Sequence, residues 1–73
     1  MKARFFEKSN GGQYAVTGRE KYEGQYYYTG VCKTKYGIDD TVFLKVSRLN
    51  RGLKDGTFQE VNQPFEWYGG LAC

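Results

Sequence analysis

The run from Gln25 to Tyr36 constrains the fold more than any other stretch. It places four tyrosines, Val31 and Cys32 in one segment with only Gly30 as a break. Aromatic and β-branched side chains fit the pleated, half-buried surface of a strand better than a helix. Side chains alternate along a strand, so Tyr26, Tyr28, Cys32 and Tyr36 share one face and Tyr27, Val31, Lys33 and Lys35 the other. The rest of the chain has the same texture: Tyr, Phe and Trp number thirteen, against ten for Val, Ile and Leu together. Ten glycines and one proline supply many tight turns. An all-β or β-dominated domain follows, a small twisted antiparallel sheet or partly closed barrel of about five strands.

Turn signals divide the chain. Lys2 to Lys8 reads as a first strand, closed by Asn10-Gly11-Gly12. Gln13 to Arg19 alternates as a second, followed by a polar link from Glu20 to Gly24. Beyond Gln25–Tyr36, Lys54-Asp55-Gly56-Thr57 marks another turn into a strand from Thr57 to Val61. Pro64 ends that strand because it has no ladder donor. No repeat or linker interrupts residues 1–73, so one domain is expected, with 62–73 as a loosely packed C-terminal segment that adds an edge strand or a cap.

Residues 39–51 fit two periods. Ile38, Val42, Val46, Leu49 and Leu53 recur at near-helical spacing, with Asp39 or Asp40 as a cap and Gly52 beyond, which would make the fold α+β. Val42, Leu44 and Val46 also alternate, and Thr41, Val42, Phe43 and Val46 are poor helix formers, which favours a strand from Thr41 to about Leu49. Paired with the tyrosine-rich strand through a loop at Gly37–Thr41, that strand sets Tyr36 opposite Val42 and Cys32 opposite Val46. A one-residue slip would bury Lys35 against Val42. The register then aligns Tyr27, Val31, Lys33, Lys35, Phe43 and Lys45 on one outward face, with Lys33 opposite Lys45 as a like-charge pair.

Size and chemistry exclude much. A 73-residue chain buries only about 60% of its unfolded surface, and its core yields about 3–5 kcal/mol of net stability. No segment reaches the roughly 18 apolar residues a membrane helix needs, and the charges in Lys2, Arg4 and Glu7 interrupt any signal-peptide core. A cytoplasmic protein with no membrane contact is expected. Cys32 and Cys73 lack CxxC or His companions, so neither a metal site nor a disulfide framework is expected. Cys32 reads as a buried apolar thiol. Cys73, or an exposed β-edge, could support a homodimer.

With no histidine, neither Ser9 nor Ser47 has an activating base. Asp39-Asp40 reads as a loop or cap, since neighbours on a strand or turn diverge. Gly11-Gly12-Gln13 spells the tripeptide of peptide-chain release factors, yet it follows Asn10 between two strand-like runs, where a hairpin turn explains it. The expectation is a non-enzyme without cofactor.

Charge is more informative by position than in total. Net charge is +3, but residues 1–54 hold all eleven bases and five acids, whereas residues 55–73 hold three acids and no base. Cations that displace phosphate counterions, combined with rings on which bases stack, are the chemistry of nucleic-acid binding. Tyr27, Lys33, Lys35, Phe43, Lys45, Arg48 and Arg51 supply both, and the lack of a DNA-reading helix motif favours single strands. The same surface also reads as a solvated sheet face whose lysines discourage edge aggregation. The acidic C-terminal stretch carries Phe65, Trp67 and Tyr68, residue types that anchor protein interfaces, or that simply close a small core.

In scale and texture the chain resembles the single-stranded-DNA-binding proteins of filamentous phages. It equally resembles small phage-encoded inhibitors of host defence such as anti-CRISPR proteins. These likenesses transfer no residue roles. They imply a compact binding module, either for single-stranded nucleic acid or for a protein of a host nucleic-acid-handling complex.

Overall fold

The structure, a computed structural model, describes residues 2–71. Its elements are β1 (Arg4–Lys8), β2 (Gln13–Tyr22), β3 (Gln25–Thr34), β4 (Gly37–Asp40), β5 (Leu44–Lys45), α1 (Val46–Asp55), β6 (Phe58–Val61) and α2 (Glu66–Leu71). The strands form one antiparallel sheet in the order β4-β3-β2-β1-β6, and β5 also pairs with β3. The two ends of this order do not pair with each other, so the sheet is not closed into a barrel.

Local chemistry sets the turns. Between β1 and β2, the Asn10 Oδ1 accepts the Gly12 N–H at 3.1 Å and Gly11 takes φ 97°. Between β2 and β3, Glu23 and Gly24 both have positive φ, at 50° and 79°, the backbone that lets a two-residue loop follow the strand twist. Strand β2 therefore continues through the expected polar link to Tyr22, absorbing a bulge between Val16 and Gly18.

Adjacent residues of β1 point to opposite faces and both are buried. Phe6 joins Val16, Tyr28, Leu44, Leu49 and Phe58 under α1, while Phe5 joins Ala15 and Phe65 under α2. Phe65 meets Phe5 edge-on at 5.5 Å and stacks on Trp67 at 5.6 Å, so the cap built around α2 is tied to β1. At the open edge, Arg4 grips Glu60 with two hydrogen bonds of 3.1 Å.

The expected strand over Thr41–Leu49 is corrected to a two-residue strand followed by a helix. Strand parity would have put Leu49 on the solvent side of Val46, whereas helical spacing brings Val46, Leu49 and Leu53 to one stripe against the sheet. Gly56, at φ 88°, ends α1 in the left-handed cap, with Lys54 in its last turn. Gly52 lies inside the helix, where a Cβ would run into the Phe58 ring.

The register changes with it. The reversal after β3 falls at Lys35-Tyr36, not Gly37–Thr41, and β4 then pairs Cys32 with Asp39 and Lys33 with Ile38. Lys45 stands opposite Tyr27, so the Lys33–Lys45 pair does not form, and Tyr36 is 88% exposed at the turn rather than opposite Val42. Asp39 and Asp40 lie in β4 rather than in a loop or helix cap, and they point to opposite faces. Between β4 and β5 the β-branched Thr41 is held at φ 59°, a strained conformation that breaks the edge in two.

No helix among the described residues is long and apolar enough to cross a membrane. Cys73 lies outside the described residues.

Candidate functional site

The seven residues singled out for nucleic-acid binding do not form one patch. Tyr27 and Phe43 lie on the α2 face with ring centroids 6.4 Å apart, and Tyr22 extends the row by another 6.4 Å. Lys45 is opposite Tyr27, and Lys33 projects to the same side of β3. That face also carries Glu20 opposite Tyr27 and Asp40 opposite Val31, so its charge is mixed rather than uniformly basic. Both carboxylate-bearing residues line a hollow of about 360 Å³ with Thr17, Thr29, Thr41 and Phe43. Arg48 and Arg51 ride on α1, on the opposite face of the sheet.

Lys33 and Lys35 instead come together at one end of the sheet. The β1–β2 and β3–β4 turns lie side by side there, because β2 and β3 are neighbours and both turns point the same way. Between them runs a groove of about 580 Å³, lined by residues Asn10 to Tyr14 and Lys33 to Tyr36, with no carboxylate among its walls. The Thr34 hydroxyl accepts the Tyr36 N–H at 3.1 Å and fixes the turn. The Lys35 ammonium sits 5.1 Å from the Tyr36 ring centroid. Such a groove can hold an anion against two ammonium groups beside an open aromatic face.

Tyr14, in the groove wall, stands opposite Cys32 on the neighbouring strand. Burial pushes the Tyr14 phenol up, reinforced by Cys32, while Arg48 pulls it back. Burial likewise pushes the Cys32 thiol up, helped by the charge of Asp39 on the neighbouring strand and opposed by a hydrogen bond with Tyr14 and the charge of Lys8. A thiol whose folded pKa is raised favours the fold below its unfolded value of about 8.5, and that contribution is lost as pH rises toward the folded value. In a Cys73→Ser background, Cys32 should react with iodoacetamide at pH 8 much more slowly than in urea-unfolded protein. Equal rates would mean that the thiol is open to solvent.

Gly11-Gly12-Gln13 forms the turn and the start of β2, and the Gln13 Oε1 accepts the Trp67 indole N–H at 2.8 Å. Phe65 is buried and Trp67 and Tyr68 are half-buried; Phe65 and Tyr68 meet the Phe5 ring and Trp67 stacks on Phe65. Among the described residues no three His, Cys, Asp or Glu side chains gather as a metal-ion set.

Tyr14, Tyr36 and the Asn10–Gly12 turn are the parts of the groove that sequence reasoning missed. The available signal was Gly37 immediately after Lys35-Tyr36, the pattern of a short turn completed by a left-handed glycine. No protein-family model, no curated protein and no solved structure matches the chain.

Proposed function

We propose that the protein is a non-enzymatic, cytoplasmic module that binds single-stranded nucleic acid through the end-of-sheet groove. The observation that carries this reading is the pairing of Lys33 and Lys35 with the exposed Tyr36 ring in a groove lined by no carboxylate. The ammonium groups displace phosphate counterions, and an exposed ring stacks any base, at about 1–3 kcal/mol each. A duplex keeps its base faces stacked inside and cannot use Tyr36 in this way. The alternative, an anti-CRISPR-like inhibitor docking on a host protein through Phe65, Trp67 and Tyr68, has less support, because those rings pack into the cluster of Phe5, Ala15 and Phe65.

Fluorescence anisotropy with labelled DNA and RNA oligonucleotides tests the reading. Single strands should bind at low salt and more tightly than duplex. Lys33→Glu with Lys35→Glu should remove binding while the circular dichroism spectrum is retained, and Tyr36→Ala should weaken it about fivefold or more. Absence of binding at low salt to any oligonucleotide, or wild-type affinity in the double variant, overturns the proposal.

A further inference from the structure

At the far end of β3, Tyr26 is 46% exposed and carries two cations. The Arg19 guanidinium lies 4.5 Å and the Lys21 ammonium 5.7 Å from its ring centroid. Lys21 is the direct cross-strand partner of Tyr26 and Arg19 that of Tyr28, so all three side chains project to the α1 face. Neither cation has a carboxylate partner: among the described residues the one ion pair is Arg4–Glu60. Two like charges on one ring repel each other, and an anion between them relieves that cost. Beside Tyr26 a hollow of about 400 Å³ is lined by Gln25, Val46, Ser47 and Asn50, whose amides and hydroxyl both donate and accept hydrogen bonds as base edges do.

Two cation-and-tyrosine clusters therefore sit at opposite ends of one strand. Tyr26 and Thr34 are eight residues apart on β3, about 26 Å at the usual rise, in a molecule whose longest extent is 34 Å. Between these ends α1 exposes Arg48, whose charge reaches Tyr14 in the groove wall. We propose that Arg19, Lys21 and Tyr26 form a second anchoring point for the same single strand, which crosses the α1 face from the end-of-sheet groove. The inference rests on the reading of that groove as a nucleic-acid interface. It adds a minimum length to the ligand: a strand held only at the groove is short, whereas one reaching Tyr26 must span the molecule.

The test is a series of single-stranded DNA oligonucleotides from 4 to about 16 nucleotides, the range of site sizes common for small binding domains. For the wild-type chain, affinity should climb with length more steeply than the number of frames in which a short site fits, and then level off. Arg19→Glu with Lys21→Glu should leave the affinity of the shortest bound oligonucleotide within about twofold and abolish the gain with length. For the longer oligonucleotides it should flatten the logarithmic salt dependence by about 1.4, the value for two lost single-strand phosphate contacts. Both substitutions are at exposed positions, and the urea midpoint checks that the fold persists. If short oligonucleotides bind but length adds nothing, or if the double variant behaves as wild type, the second anchor is wrong and the groove stands. If the variant loses the shortest oligonucleotide as well, the division into two anchors is wrong. Failure of every length to bind overturns both proposals.

Discussion

Phe6→Ala is expected to abolish the cooperative unfolding transition at 25 °C. Phe6 is fully buried, at 0% exposure, and joins strands β1, β2, β3 and β6 to α1 through Val16, Tyr28, Phe58 and Leu49. Truncating a buried phenylalanine costs about 3–5 kcal/mol, transfer and cavity together. A chain of this size has about that much net stability in all. Urea titration followed by circular dichroism would show a sloping baseline instead of a sigmoid. A variant that still unfolds cooperatively with a loss below about 1 kcal/mol would mean that the α1-side core does not hold the fold together.

Gly30→Ala should be nearly as damaging, for a different reason. In most strands this change stabilises, because alanine restricts the unfolded chain. At Gly30 the sign reverses. The added Cβ would collide with the Ala15 carbonyl oxygen and lie 3.1 Å from the Val16 Cα, both of them backbone atoms of β2. A side chain can rotate away from such an approach, but a paired strand can only separate. The contact also sits at the bulge between Val16 and Gly18, where the β2–β3 ladder is already interrupted. Overpacking costs about 1–3 kcal/mol, and a backbone obstacle puts this case at the upper end. For a small domain that lowers Tm by more than about 10 °C. A Gly30→Ala variant melting at or above the wild-type temperature would falsify the close approach.

The parts of this fold that could be read in advance were those fixed by alternation and by turn chemistry. Tyr28 and Cys32 are buried and Tyr27 faces the other way because period two leaves a strand no other option once one face is covered. Asn10-Gly11-Gly12 turns where its residue types allow left-handed backbone. Residues 41–55 could not be read with the same certainty because two periods share the same side chains. Leu44 obeys the strand and Leu49 and Leu53 obey the helix, and the change of period falls at Lys45, which provides no side-chain cap to mark it. Misplacing that boundary also displaced the turn before it. The lysines of the groove were therefore visible as basic residues, but their meeting with Tyr36 was not, since it depends on the chain reversing at Lys35-Tyr36. Arg19 and Lys21 were hidden for a similar reason. The bulge in β2 carries the strand past Arg19 and realigns both cations with Tyr26, and nothing in the residue types announces a bulge there.

The hydrogen bond from Trp67 to Gln13 gives the molecule a built-in optical reporter. The chain has a single tryptophan, so its emission comes from one known place, an indole stacked on Phe65 and bonded through its N–H to a residue that lines the end-of-sheet groove. Indole emission responds to the polarity around the ring and to the partner of that N–H. A shift of Gln13 therefore reaches the chromophore through one bond of 2.8 Å. Events at the groove can be followed in the unlabelled protein, and a spectrum that moves before the sheet unfolds separates rearrangement of the groove from loss of the fold.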